Sequence, residues 1–510
     1  MPTPPSEPEK YSVDEILARL KSTSLETSQD GEQVTRADGS QAIRTRQRKR
    51  RSSQPRKAKQ QRTRLARIVQ VSLALILILL IALTLGGAVI YANSKPFRDE
   101  LVRHIAQASG ATTELQEFRM NPQTANAARL SLTWPEGNVL KNLTLHDLSA
   151  EIFPSSFWGT SMSGEEITIP EGSLELRIPQ LGQSLRHTPE PQGPLPVQFN
   201  RYRIPKFNLT LGDPKQPLVQ LFKSEASLNP FTVNGYPQMS LYRGELTIMG
   251  WPKLRLNRAL IEFRGPEIHL VSLRVSHEAD KGGIFEFSGT IYPYQAERTS
   301  TLDLVLDSFD LSGLVGPTLG NLFSGKINSQ PLTQSNFLSF LPTEHSTPTL
   351  DIAFQPSPIS RIQLQGFPFL FSLKQILADT WFLTPSFDHH ASGKFHREHG
   401  IVTLRDLNFE SKSQMALRGE ISMAPDQSLS GNLQIGLTEA KLATANNLRL
   451  NSLFGPLTAG YRWLPLKITG SATNPHDNFR ELLATAKIAP LENAPPPAQT
   501  SIFEQLTQPK

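Results

Sequence analysis

The residues best suited to chemistry in this 510-residue chain gather near position 390: Asp388-His389-His390, then His396, Glu398 and His399. Imidazoles and carboxylates at this density can hold zinc when three or four of them converge at about 2 Å. Along an extended strand, alternate side chains share a face. His396 and Glu398 then stand together with His399 opposite, so one ion cannot gather the set. The spacing predicts a polar hairpin without a metal, and His389, His390, His396 and His399 are the candidate ligands it offers.

Other reactive patterns are missing from the sequence. With no cysteine there are no disulfides, no thiolate nucleophile and no cysteine-based metal site. Neither a phosphate-binding glycine loop nor a G-x-S-x-G elbow nor H-E-x-x-H occurs. Acidic residues are scattered along predicted strands rather than paired, so no glycosidase-type carboxylate couple can be named. Asn142-Leu-Thr and Asn208-Leu-Thr match the glycosylation triplet, a pattern short enough to recur by chance. The expectation is a protein that is not an enzyme and carries no cofactor.

The elements that must position any site begin with residues 68–90, IVQVSLALILILLIALTLGGAVI, which carry no charge and only Gln70, Ser72 and Thr84 as polar side chains. At about 1.5 Å per residue this stretch makes a helix of roughly 34 Å, enough for a hydrocarbon core of about 30 Å. It predicts a transmembrane helix over 65–92, with Ile68, Leu75, Leu80, Leu85 and Ile90 spaced along it. Twelve Lys and Arg lie between Arg44 and Arg67, among them Arg48, Lys49, Arg50, Arg51, Arg62, Arg64 and Arg67. Beyond the span, Lys95 and Arg98 are soon offset by Asp99 and Glu100. This asymmetry sets the topology: N-terminus cytoplasmic, bulk of the chain on the far side.

Charge divides along the same line. Residues 1–95 hold 17 Lys+Arg against 8 Asp+Glu, and the remainder 35 against 38. The basicity therefore belongs to the tail beside the membrane, where anionic lipid is the expected partner, and no nucleic-acid partner is expected. A cysteine-free outer domain of this size suits a bacterial envelope better than an extracellular animal setting.

Residues 1–64 read as a basic, mostly disordered leader, with a short amphipathic island from Ser12 to Leu20 behind a capping box. After the span, Pro96 opens and Gly110 closes a juxtamembrane helix. The period then changes from 3.6 to 2: Leu130-Ser-Leu132-Thr-Trp134, Leu174-Glu-Leu176-Arg-Ile178, Phe207-Asn-Leu209-Thr-Leu211, Leu302-Asp-Leu304-Val-Leu306 and Leu433-Gln-Ile435-Gly-Leu437 alternate, as do many others. These are half-buried strands. Helical patterns are few: about Ser372–Trp381, Thr438–Leu450 and Asn478–Leu483. Residues 180–198 read as a Pro-rich loop, 328–349 as an irregular stretch that separates β-rich halves over 93–330 and 331–490, and 491–510 as a disordered tail. The fold class is mainly β with one N-terminal transmembrane helix and a few short helices. Pattern alone favours a sheet closed as a sandwich or barrel, since exposed apolar grooves are rare.

Two segments carry a family resemblance. Phe287–Gly325 (FSGTIYPYQAERTSTLDLVLDSFDLSGLVGPTLGNLFSG) and Trp463-Leu-Pro465-Leu-Lys-Ile468-Thr-Gly470-Ser-Ala-Thr-Asn474-Pro475 resemble the strand–"DL" corner–"LG…SG" rhythm and the C-terminal "P-x-x-I-x-G" run of the AsmA-like envelope proteins. These are related in build to bridge-like lipid-transfer proteins. The resemblance implies an elongated, curled antiparallel sheet with an apolar β-groove, anchored once in the bacterial inner membrane and facing the periplasm. It implies phospholipid transport or outer-membrane biogenesis, with phospholipid as cargo and envelope proteins as partners. The alternative is a non-enzymatic envelope scaffold or assembly factor with a closed β-sandwich core.

Overall fold

The computed structural model describes residues 32–35, 37–44, 56–157, 162–178, 197–278, 282–330, 336–343, 347–445 and 447–486. The island at 12–20, Arg48, Lys49, Arg50 and Arg51, residues 180–196 and the 491–510 tail lie outside these. The chain divides into two units, residues 1–84 and 85–510.

In the first unit, two described segments fall within the leader read as mostly disordered. Glu32–Thr35 and Gln41–Arg44 pair as an antiparallel hairpin. Its turn carries Asp38-Gly39, with Gly39 at φ 80°, a combination that fits a tight hairpin. The helix α1 spans Arg56–Ala92, so Arg62, Arg64 and Arg67 ride on the same helix as the apolar run. Within it, Ile68–Ala92 is long and apolar enough to cross a membrane, and none of the tested window is buried inside the structure. Ile68, Leu75, Leu80, Leu85 and Ile90 are all exposed. Ser72 donates to the Ile68 carbonyl (2.7 Å) and Thr84 to that of Leu80 (3.0 Å). Both hydroxyls are thus satisfied by the helix itself, as lipid requires.

After the end of α1, the second unit continues with α2, Lys95–Ser109, with Pro in its first turn and a left-handed Gly110 at φ 67° that donates to the Ala106 carbonyl. A sheet follows in which nearly every strand lies beside its chain neighbour. Its first part runs Thr112–Gln116 with Arg119–Met120, then Thr124–Thr133, Leu140–Ile152, Met162–Thr168 with Glu171–Leu176, Val197–Asp213 and Gln216–Asn229. Gln238–Tyr242 with Glu245–Ile248, Leu254–Arg264, Glu267–His277, Ile284–Ile291 and Ser300–Asp307 continue it. Beyond these come Lys326–Ser329 with Phe337–Phe340, Thr349–Pro356, His390–Glu398, Ile401–Glu410, Met415–Met423, Leu429–Leu437 and Tyr461–Ser471. Phe337–Phe340 carries the pairing through the stretch read as an irregular separator. Among the described residues, only Met162–Thr168 and Glu171–Leu176 pair in parallel, both with Val197–Asp213.

Circuits of pairing close where one strand is split into two consecutive pieces, as Gln238–Tyr242 and Glu245–Ile248 between the same two neighbours. Among the described residues, no pairing joins the first strand to the last.

Bulges recur at matching levels on neighbouring strands. Lys223 (φ 53°) and Arg243 (φ 58°) are left-handed and lie at one level, Lys223 in line with Gly244 and Arg243 with Ser224, between the pairs Phe222↔Glu245 and Glu225↔Tyr242. The next strand slips register at Leu256/Arg258 and again at Leu260/Ile261, and the Leu270/Leu273 slip of the strand after it lies level with the second of these. Farther on, Ser308 (φ 49°) and Asp406 (φ 52°) repeat the device, with slips at Ser392/Lys394 and Leu404/Leu407. The inward face passes from Leu256 to Ala259, from Leu306 to Phe309 and from Leu404 to Leu407, all buried, in steps of three instead of two. Each such bulge bends its strand.

Helices gather late in the chain. α3 (Ser312–Gly320) was not expected; it breaks at Gly316 (φ 84°) ahead of Pro317. α4 (Pro368–Leu377), α5 (Glu439–Ala443), α6 (Leu448–Leu453) and α7 (Phe479–Thr485) fall where helical patterns were read, though the middle one divides in two. The Asp477 carboxylate accepts the Phe369 N–H at the start of α4 (2.6 Å) and the Phe479 N–H at the start of α7 (3.1 Å), tying two helix N-termini together. A small sheet of Phe323–Ser324, Ile362–Leu364 and Ser386–Phe387 lies among them.

Candidate functional site

The histidine cluster does not assemble. His390 meets Ser392 (3.2 Å), and His389 is tied through its backbone N–H to the Glu410 carbonyl. His396 lies between Asp351 (3.0 Å) and Glu398 (3.7 Å), and His399 meets only the other oxygen of Glu398 (3.8 Å). Asp351, brought opposite His396 by strand register, also takes the Arg405 guanidinium at 2.6 Å, so its carboxylate is committed to ion pairs. Among the described residues, no three His, Asp or Glu converge to hold a metal ion.

What the fold does assemble is an apolar wall. Leu132, Leu143, Leu174, Leu209, Leu221, Leu246 and Leu254 are direct cross-strand partners in succession. At about 4.8 Å between strands, this row is roughly 29 Å long. Beside it run Leu140, Leu176, Leu211, Val219 and Ile248, again partner to partner. On the other flank stand Leu115, Leu130 and Leu145, then Gly172 opposite Phe207. A Cβ on Gly172 would meet Ile204 at 3.0 Å and Leu145 at 3.2 Å, so glycine lets these side chains close over the strand.

Burial along the wall is incomplete. Leu132 (8% exposed), Leu221 (4%), Leu246 (8%) and Leu254 (3%) are buried, whereas the consecutive Leu143, Leu174 and Leu209 are half-buried, as is every member of the Leu140–Ile248 row. Of the described helices, α2 reaches the wall, at its first strands: Phe97, Leu101 and Ile105 pack with Leu115, Leu130 and Leu143. α3 and α4, by contrast, meet their strands at Phe309–Asp310, Phe323–Ser324 and Asn474–Asp477. Where α2 ends, a cavity of about 670 Å³ opens beside Thr112 and Thr133, with Arg103 and Trp134 on its side. The Trp134 indole N–H donates to the Ser109 carbonyl (2.9 Å). Arg177 fixes the adjacent turn by donating to the carbonyls of Trp134, Pro135, Asn138 and Leu140 at 2.9–3.2 Å.

The later strands differ. Their inner side chains are sealed: Phe354, Phe395, Leu404, Ile435 and Ile468 are each 0% exposed. Tyr461 donates to Glu410 (3.1 Å) and to the Ser411 carbonyl (3.2 Å); burial, with the Glu410 charge beside it, pushes its phenol up to about 12.

Such a surface can do no bond-making chemistry. A contiguous, half-covered face of leucines favours apolar ligands, at about 25 cal/mol per Å² of surface removed from water. Sequence reading found the strands but not the wall, because the rows exist only once registers are known; the run of Leu-x-Leu motifs was the signal available. No protein-family model matches this chain, and no curated protein or solved structure is significantly similar to it.

Proposed function

We propose that this chain is a membrane-tethered, AsmA-like envelope protein that holds the acyl chains of phospholipid against the Leu132–Leu254 wall, in phospholipid transport or outer-membrane biogenesis. The supporting observation is the unbroken leucine row in which Leu143, Leu174 and Leu209, with the whole neighbouring Leu140–Ile248 row, stay only half-buried in an otherwise well-packed unit. Monomeric soluble proteins rarely leave such apolar surface uncovered without a ligand. Aligned bulges are the device by which a wide sheet curls into a groove. Length also agrees: the acyl chains of one leaflet are about 15 Å long, half of a bilayer core of about 30 Å, so the row accommodates them. The anchor would be α1 in the bacterial inner membrane, with the basic leader cytoplasmic and residues after the span periplasmic. No reaction is proposed.

The test is to purify the full chain in mild detergent and identify bound lipid by mass spectrometry, beside a Leu174→Gln/Leu209→Gln variant. Stoichiometric phospholipid in the wild type and its loss in the variant are expected. Lipid-free protein, or equal lipid in both, would refute the reading.

The sealed later strands favour the second reading, an assembly factor with a closed core that acts through envelope protein partners. That reading predicts partner capture unaffected by the wall substitutions.

A further inference from the structure

We infer that the outer face of the sheet carries a docking surface for an anionic phospholipid bilayer, a strip of cations raised by the bulges of four neighbouring strands. It lies on the opposite side of the sheet from the wall, so its test is separate from that of lipid holding.

The strip follows from how a bulge turns side chains. On a regular strand alternate residues face outward, whereas a bulge sets two in succession on one side. Pro205-Lys206, Phe222-Lys223, Tyr242-Arg243 and Asn257-Arg258 are four such pairs, each residue of them exposed. They come from strands that lie side by side, and every pair ends in a cation. Arg274 on the next strand is the register partner of Arg258 and makes a fifth. At about 4.8 Å between strands, the row is roughly 19 Å long. Backbone bonds fix its centre: the Lys223 N–H donates to the Asn208 side chain (3.0 Å) and the Arg243 N–H to the Asn257 carbonyl (3.3 Å).

The fold does not neutralise this charge. The carboxylates at adjoining positions are engaged: Glu225 takes Arg203 (3.3 Å) and Glu286 takes Arg274 (3.1 Å), while Glu171 and Glu245 are cross-strand partners of Lys206 and Arg255. Among the described residues, Lys223, Arg243 and Arg258 form no ion pair. Arg258 instead lies over the Tyr242 ring (5.6 Å) and directly faces Arg274, a like-charge pairing that costs stability until an anion joins it.

Two features select a bilayer over a soluble acidic partner. Phe222 and Tyr242 stand exposed, at 37% and 36%, beside the cations. Rings set among Lys and Arg suit the boundary between headgroups and acyl chains, where apolar body and polar tip are both satisfied. The cations are also spread one to a strand, enclosing no cleft for a single compact anion. A field of separate phosphates meets them one by one.

The test exploits the absence of cysteine. In the full chain, Ser240→Cys carries an environment-sensitive fluorophore; Ser240 lies two residues from Tyr242, on the same outward face. A second sample carries the label at Ser392→Cys, on the outer face of a later strand. Each is reconstituted in vesicles of phosphatidylcholine, alone or mixed with phosphatidylglycerol, with a small fraction of doxyl-labelled phosphatidylcholine as quencher. Quenching at the Ser240 site in the mixed vesicles only, declining as salt is raised, is expected. Lys223→Gln/Arg243→Gln/Arg258→Gln should lower it to the phosphatidylcholine level, at about fivefold in affinity per cation removed. Lys223→Arg/Arg243→Lys/Arg258→Lys, which keeps the charge, should keep the quenching. No quenching at the Ser240 site, equal quenching in both lipids or at the Ser392 site, quenching that survives the Gln variant, or its loss in the charge-keeping variant would each overturn the proposal.

Discussion

Leu209→Ala and Leu404→Ala delete the same three carbons from strands of the same sheet, yet they should differ sharply in cost. Leu404 is 0% exposed and packed on all sides, so its truncation loses the transfer free energy and leaves a cavity, about 3 kcal/mol within the usual 2–5 range. Leu209 is half-buried; up to about a third of its transfer term was never gained, and water or lipid fills the gap, leaving a cost of about 1.5 kcal/mol. The gap of about 1.5 kcal/mol is outside the error of urea unfolding followed by tryptophan fluorescence, provided the slope with denaturant is unchanged. The full chain in lipid-free detergent is the right sample, with Leu174→Ala and Leu466→Ala as a second matched pair. Equal costs at Leu209 and Leu404 would mean that the wall is as tightly packed as the later strands, and the reasoning that makes it a ligand surface would fail.

Three further outcomes follow from particular contacts. Glu262 is buried, 6% exposed, against Arg264 at 2.6 Å; Arg264 and then Gln238 donate to its carboxylate and hold it below the ordinary value of 4.5. A depressed carboxylate stabilises the fold above its unfolded value and stops doing so as pH falls through its folded one. Glu262→Gln should therefore cost about 1–2 kcal/mol at pH 7 and progressively less in acid, read as converging melting temperatures. Gly419 sits at φ 125°, and a Cβ there would lie 2.1 Å from the Asn432 carbonyl oxygen; Gly419→Ala should cost about 3 kcal/mol or more, seen as loss of folded protein in denaturant titration. Lys223→Gly, which relieves a left-handed residue at φ 53°, should be neutral or stabilising by up to about 1 kcal/mol after the added chain entropy is subtracted; a clear loss of stability would show that the Lys223 side chain does more than occupy the bulge.

How much of this could be read beforehand depends on range. The long apolar helix was legible because it is a local property of uncharged residues 68–90, and α2 because Pro96 and Gly110 mark its ends. Individual strands announced themselves by alternation. Two local misreadings have local causes. Asp38-Gly39 is a turn signal, but short polar strands around it masked the hairpin. Gly313, Gly316, Pro317 and Gly320 argued against α3, which exists because Leu314, Val315 and Leu319 are buried, at no more than 2% exposed. The leucine rows, the Asp351–His396 pairing and the change from half-open to filled interior depend on contacts between residues far apart in sequence. No spacing rule contains them.

The matched bulges carry a consequence for how such a chain can change. A residue inserted between Lys223 and the next inward side chain would turn the rest of that strand over and expose what faces inward, unless the Arg243–Gly244 step beside it shifted in concert. The bends therefore behave as a fold line shared among neighbours. Side chains on either side of it can drift freely in identity, while its placement along each strand is inherited as one collective trait.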